Sequence, residues 1–248
     1  MKISIITIVF NGEATIARAI ESVLSQKNVE IEYIVVDGKS QDRTIAAIVP
    51  YQKKITYLIS EKDTGIYDAM NKGLKLATGD VIGLLNADDF YSNSEVLSVA
   101  MQQFSDTTVD IVYGDLEYFR AANPEKTVRI YRSNNFHPSQ LKRGLMPAHP
   151  ALFVRKRVYE QYGLFDSSYK IAGDFEFIIR IFKDGLLKAK YLPLKIVRMQ
   201  MGGISTGGLK NTITLLKENM RACYQNGIKT NYLWLVSRYP RKLLEYFS

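Results

Sequence analysis

The chain has 248 residues, 46% of them hydrophobic and 23% charged, with a formal net charge of +8. That is the composition of a globular protein with one full-sized core, or one core and a small appendage. No run of about 18 uncharged apolar residues is available for a membrane-spanning helix, and the single cysteine, Cys223, excludes an internal disulfide and fits a reducing compartment.

In chain order, "KISIITIVF" (2–10) reads as a β-rich first strand. It has no small-residue cleavage site and is not a signal peptide, so a cytosolic protein is expected. Residues 13–26 place Ile16, Ile20, Val23 and Leu24 at helical spacing. "IEYIVVD" (31–37) is a second strand, 41–49 a helix stopping at Pro50, and "KITYLIS" (54–60) a third strand. A helix over 66–77 with Ala69, Met70, Leu74 and Ala77 on one side leads to a fourth strand, "DVIGLLN" (80–86). A helix over 93–104 and a fifth strand, "VDIVYGD" (109–115), follow. Such alternation predicts right-handed βαβ units and a mostly parallel sheet.

Ligands bind at the carboxyl ends of such strands. Here the first strand ends at Phe10-Asn11-Gly12, the second at Asp37-Gly38-Lys39-Ser40, the third at Glu61-Lys62-Asp63 and the fourth at Asn86-Ala87-Asp88-Asp89. Polar and acidic groups therefore face one crevice. Two adjacent carboxylates at the end of a buried strand repel each other, so either something positive stands near them or one serves as a helix cap.

The charge is uneven. Residues 117–157 carry a net +7 and residues 200–248 a net +5, leaving the remainder acidic. Basic surface attracts nucleic acid, anionic lipid or phosphorylated substrates. Helix-turn-helix, zinc-ligand and aromatic-stacking signatures are absent, which argues against nucleic acid. A nucleotidyltransferase would carry a Gly-rich basic phosphate loop, and "NGEATIARAI" is a poor match to one.

Four blocks in order, "SIITIVFNGEATI", "VVDGKSQDRT", "SEKDTGIYDAMNKGLKLATGDVIGLLNADD" and "AGDFEFIIR", closely resemble the family 2 glycosyltransferases. The likeness is greatest to small bacterial members that build lipopolysaccharide O-antigen, colanic acid and capsule repeats. It implies an α/β fold of the GT-A nucleotide-diphospho-sugar transferase type, with a mostly parallel central sheet and helices on both faces. The GT-A domain would span 1–205, with a nucleotide-sugar-binding half (1–115) and an acceptor and catalytic half (116–205). Residues 206–248 would form a helical, basic and aromatic extension.

The resemblance assigns donor contacts to Thr7, Phe10, Asn11, Glu13, Asp37, Asp63, Asp68, Asn71, Asn86 and Ala87, with Asp37 accepting from the base. Asp42 reads as a turn and helix cap. Asn86-Ala87-Asp88 stands where relatives carry an Asp-x-Asp motif that holds a divalent cation, Mn²⁺ or Mg²⁺, on the donor diphosphate. Asn86 replaces the first acid, so the metal falls to Asp88, with Asp89 a helper. Relatives open a helix with a Glu-Asp pair that supplies the base; Gly173-Asp174 matches it without the Glu, which leaves Asp174. The missing Glu is also what a catalytically inactive, sugar-nucleotide-binding relative would show. His149 is expected near the acceptor, and Gly202-Gly203 in a mobile lid.

The implied reaction is inverting transfer of one hexose or N-acetylhexosamine, UDP-linked, to a glycan on a polyprenyl-diphosphate carrier. The segment "TNYLWLVSRYPRKLLEYFS" mixes Trp234 and aliphatic residues with Arg238, Arg241 and Lys242. It suits either peripheral contact with the cytoplasmic membrane face or packing on the domain as a last helix.

Overall fold

A computed structural model of the chain describes residues 1–202 and 208–238. The first apolar run forms β1 (Lys2–Val9), buried from Ile3 to Val9 as a strand covered on both faces must be. Parallel to it lie β2 (Glu30–Asp37) and then β3 (Tyr57–Ser60) on one side, and β4 (Val81–Asn86) on the other. Helices α1 (Ile16–Leu24), α2 (Thr44–Ile48) and α3 (Ile66–Leu76) make the crossovers.

The chain continues through β5 (Phe90–Tyr91), α4 (Val96–Gln103), β6 (Val109–Arg120), β7 (Asn123–Tyr131) and β8 (Leu152–Arg155). It then forms α5 (Lys156–Tyr162), α6 (Gly173–Phe182), β9 (Lys188–Gln200), α7 (Leu209–Gln225) and α8 (Tyr232–Val236). The strand order is β3-β2-β1-β4-β8-β6-β9-β5, with β7 hydrogen-bonded to β6. β8 is antiparallel to both β4 and β6, while β6 and β9 run parallel. The central sheet is therefore mostly parallel.

Alternating side chains feed two cores. Ile6, Ile34 and Leu84 meet α3, α5, α6 and α7 on one face. Ile3, Ile5, Val35 and Leu85 meet α1, α2 and α4 on the other. Ala222 and Cys223 of α7 are fully buried in the first core, so α7 packs as part of the same body as the sheet. Among the described residues no helix is long and apolar enough to cross a membrane.

Some expected boundaries moved for identifiable reasons. The chain does not stop at Pro50 but runs on as a 3₁₀ turn, Val49–Lys54, because proline fits an opening turn whose N–H needs no partner. That turn takes up residues expected to begin the third strand, and β3 is left as a short edge strand paired only with β2. β6 extends past residue 115 because β7 and β9 flank its far end.

The strand feet are fixed by one acid. Glu32 is 5% exposed. Its carboxylate accepts from Ser4 Oγ at 2.6 Å, Thr78 N at 2.7 Å, Thr78 Oγ1 at 2.5 Å and Lys2 Nζ at 3.3 Å. Burial alone would raise its pKa, but the Ser4, Thr78 and Lys2 hydrogen bonds outweigh that and bring it from 4.5 to about 2. A folded value below the ordinary one means that ionisation stabilises the fold above pH 4.5, and that this contribution is lost as pH falls towards 2. Glu32→Gln is expected to lower stability at pH 7 by about 1–3 kcal/mol. The gap to wild type should narrow across that acid window in urea titrations; a gap independent of pH would reject the assignment.

Candidate active site

Register levels the strand ends. Asp37 pairs with Val9 and with Ser60, and Asn86 pairs with Ile8. The loops after these strands are knitted together. Asn11 N donates to Ser40 Oγ at 2.8 Å, and Asn11 Oδ1 accepts from Gln41 N at 2.8 Å. Gly12 N donates to Thr44 Oγ1, and Arg43 N donates to Glu13 Oε2 at 2.7 Å. Asp42 accepts from Thr44 N and Glu13 N.

Asp37 is fully buried, and its carboxylate receives Ser40 Oγ at 2.5 Å and Ser60 Oγ at 2.6 Å. It thus anchors the floor of this region through two hydroxyls. Above it, a Cβ on Gly38 would meet Asp63 Oδ2 at 2.3 Å and the Phe10 ring at 3.4 Å. The absence of a side chain there lets the backbone lie against both residues. Phe10 is 63% exposed, so a flat apolar face stands open beside the Gly38 backbone and the Asp63 carboxylate.

Several expected donor contacts are engaged within the protein, among them Asp37, which was expected to accept from the base but is fully buried with its two oxygens taken by Ser40 and Ser60. Thr7 is buried and accepts from Tyr33 Oη at 3.1 Å. Asp68 accepts from Thr64 N and lies 3.8 Å from Lys72 Nζ. The Asn71 amide pairs at both ends with the Phe165 backbone, at 2.8 and 3.0 Å.

The loop after β4 carries the adjacent acids. Asp88 is half-buried, and Asp89 is fully buried. Asp89 is not a helix cap: its Oδ1 accepts from Gln200 N at 3.2 Å, and its Oδ2 from Asn86 Nδ2 at 3.4 Å. It therefore ties this loop to the end of β9, two residues before Gly202, which takes φ +110°. Gly203 lies outside the described residues. Burial raises the Asp88 carboxyl, and burial with Asp88 next door pushes Asp89 well above the usual carboxylate range.

The nearby positive group is Arg18 of α1. Its guanidinium donates to the Asp88 carbonyl at 3.0 Å and to Gln200 Oε1 at 3.4 Å. It lies 4.7 and 4.9 Å from the Phe90 and Phe119 ring centroids. Burial lowers its pKa while the charges of Asp88 and Asp89 oppose that.

Asp174 sits in the first turn of α6. Its Oδ1 accepts from Phe175 N at 2.8 Å and lies 3.3 Å from Tyr67 Oη. The loop before it is held from two sides. Tyr67 Oη donates to Ile171 O at 2.6 Å. Glu218 of α7 accepts from the backbone N–H groups of Lys170, Ile171 and Ala172, each at 2.9 Å.

The structure gives a physical reason for the missing glutamate. A Cβ at Gly173 would stand 2.8 Å from the Tyr67 ring, which is closer than packed atoms tolerate. Restoring the acid, Gly173→Glu, is therefore expected to reduce activity, and Gly173→Ala to cost about 1–3 kcal/mol by overpacking. Chemical denaturation and turnover check both; a gain of activity in the Glu variant would show that Tyr67 yields.

Asp174, Asn86 and His149 line one cleft of about 200 Å³, with walls that include Leu116, Tyr118, Tyr131 and Met199. His149 opens the short turn before β8 and is 8% exposed. Burial lowers its pKa, and the Asp174 charge opposes that. Reading the sequence missed Arg18 and Glu218. Arg18 was findable, as the sole basic residue between Asn11 and Gln26 while the paired acids required a cation. Glu218 gave no local signal, since its partners lie nearly fifty positions away.

A sheet whose levelled strand ends carry an acid loop, with a helix-opening acid on the wall of the adjoining cleft, is the arrangement that the resemblance to GT-A glycosyltransferases implies. Solved structures agree on the fold. Staphylococcus aureus TarS 1-349 in complex with UDP-GlcNAc matches with a TM-score of 0.69 at 18% identity, over 92% of this chain and 68% of that one. The mannosyltransferase PcManGT from Pyrobaculum calidifontis, in complex with GDP-Man and Mn²⁺, matches at 0.64 and 18%, over 88% and 64%. A PGL/p-HBAD biosynthesis glycosyltransferase of Mycobacterium tuberculosis is 31% identical over 220 residues, 85% of this chain and 79% of its own. Residues 4–163 match Glycosyl transferase family 2, and the chain belongs to that family.

Proposed function

We propose that this enzyme transfers one hexose or N-acetylhexosamine from a UDP-sugar, with inversion, to a hydroxyl of a growing glycan carried on a polyprenyl diphosphate. The observation that carries the reading is one cleft lined by both Asp174 and Asn86, with the Asp88–Asp89 loop beginning one residue after Asn86. The nucleotide would lie on the knitted loops, its base against Phe10, Gly38 and Asp63. Asp37 would act beneath it, through Ser40 and Ser60. TarS complexes with UDP and UDP-GlcNAc support a uridine donor.

Among the described residues no cluster of three or more His, Cys, Asp or Glu side chains forms a ready-made cage. The donor set still fits a hard divalent cation held mostly by phosphates, because such ions take one or two protein carboxylates and complete their shell with substrate and water. Asp88, a half-buried acid whose ionised form burial disfavours, would bind it, with Asn86 alongside and Asp89 bracing the loop. Bound Mn²⁺ or Mg²⁺ would neutralise charge on the departing diphosphate. The Asp174 carboxylate would take the proton from the acceptor hydroxyl as that oxygen attacks the anomeric carbon. Tyr67 and Glu218 would hold the carboxylate in line, and His149, favoured neutral, would contact the acceptor.

A thermal-shift panel of nucleotide-sugars with and without Mn²⁺, followed by product analysis, tests the reading. A rise in Tm with UDP-sugars is expected, since ligand binding stabilises by mass action. A flat response to the whole panel would reject it.

Membrane contact at α8 belongs to the same proposal. Leu235 and Arg238 pack inward, and Arg238 Nη1 donates to Gly144 O at 3.1 Å. Tyr232, Leu233, Trp234 and Val236 remain 39–82% exposed, with Lys142 Nζ 4.8 Å from the Trp234 ring centroid. Aromatic and aliphatic groups beside cations suit an anionic lipid interface. The expected residues Tyr239 to Ser248 lie outside the described residues. Leu233→Glu is expected to reduce sedimentation with anionic liposomes at low salt; equal sedimentation would assign the contact to another surface.

A further inference from the structure

The cleft also holds a buried amide that the scheme above does not use. Asn219 of α7 is 1% exposed, and neither its Oδ1 nor its Nδ2 has a hydrogen-bond partner among the described residues. Buried amides are almost always paired, because an unmet donor or acceptor destabilises the fold. Asn219 lines the same cleft as Asp174 and His149. Its position is not adventitious: its neighbour Glu218 is fixed to three consecutive backbone N–H groups ahead of Asp174, which sets the register of α7 against that loop.

We propose that Asn219 is an acceptor-specificity residue, hydrogen-bonding a neutral, hydroxyl-bearing sugar ring of the acceptor; this rests on the glycosyl-transfer reading. An amide offers one acceptor and two donors. Its complement is a group that both gives and takes a hydrogen bond, as adjacent sugar hydroxyls or an acetamido group do. A phosphate or carboxylate only accepts, and would leave Oδ1 unmatched. Tyr118, Tyr131, Met199 and Leu215 on the same wall present apolar surface to the C–H faces of a pyranose, while the Arg129 and Arg238 guanidinium groups that also line it are engaged with the Tyr118 ring and with Gly144 O.

Asn219→Leu tests the proposal, because leucine keeps the volume and removes both polar groups. The probes are octyl β-D-glucopyranoside and octyl N-acetyl-β-D-glucosaminide below their micelle concentrations, with UDP-GlcNAc measured separately. The variant is expected to keep or raise its Tm, bind UDP-GlcNAc as wild type does, and bind the glycosides at least about tenfold more weakly. A lowered Tm would make the amide a packing element and overturn the proposal. Unchanged glycoside affinity, or no glycoside binding by the wild type, would also overturn it. Failure of the wild type to bind or turn over UDP-sugars would instead reject the glycosyl-transfer reading itself.

Discussion

Asp174→Asn is expected to leave UDP-sugar binding nearly intact and to lower transfer by about 10²-fold or more, the contribution of a positioned general base. The substitution isolates proton abstraction. The carbonyl oxygen of Asn can still accept the Phe175 N–H and face Tyr67 Oη, the two contacts that Oδ1 makes now. The loop before α6 keeps its bonds to Glu218 and Tyr67, none of which involve the 174 carboxylate. The first turn of the helix therefore stays in place while the base is lost. Turnover at saturating donor, donor affinity by calorimetry and thermal melting together check this. A folded variant with full activity would reduce Asp174 to a first-turn acid and place the base elsewhere.

Asp88→Ala should abolish turnover and remove the metal dependence of UDP-sugar binding. The geometry makes this a clean test, because Arg18 bonds to the main-chain carbonyl of Asp88 rather than to its carboxylate. Asp89 likewise keeps Gln200 and Asn86. The loop is held without the Asp88 side chain, so lost activity reports lost charge and not collapse. Asp89→Ala differs: it removes a buried acid that joins β4 to β9, and should lower stability as well as activity. Activity of Asp88→Ala that matches wild type and ignores a chelator would end the metal assignment.

The first half of the fold was legible because its strands obey one rule. "YIVV" and "VIGLL" are apolar on both faces, and each ends in polar residues at a level that parallel register enforces. The second half was less legible. β7 has no buried residue, β9 carries lysines along an exposed stretch, and neither shows a continuous apolar run. In the site, motif position pointed to Asp174 and to the acid loop. It did not reveal that Thr7 and Asn71 carry internal hydrogen bonds, since pairing with Tyr33 or with the Phe165 backbone depends on contacts between segments distant in sequence. Arg18, Glu218 and Asn219 escaped for a related reason. A single charged or amide residue on a helix reads as solvated surface until its tertiary neighbours are known.

The mutual hydrogen bonding of the loops after β1 and β2 bears on the thermodynamics of ligand capture. Asn11, Glu13, Ser40, Asp42 and Thr44 already hold one another by side chain to backbone bonds. A molecule seated there meets a surface whose conformational freedom was given up when the protein folded. Ordering entropy, which weakens binding to floppy loops, is then largely absent from its association. The opposite wall is organised otherwise: three N–H groups converge on one carboxylate of a separate helix and Tyr67 Oη holds Ile171 O, so its alignment rests on two side chains from other elements. Tolerance to sequence change should differ accordingly, with redundancy in the loops after β1 and β2 and fragility where α7 meets α6.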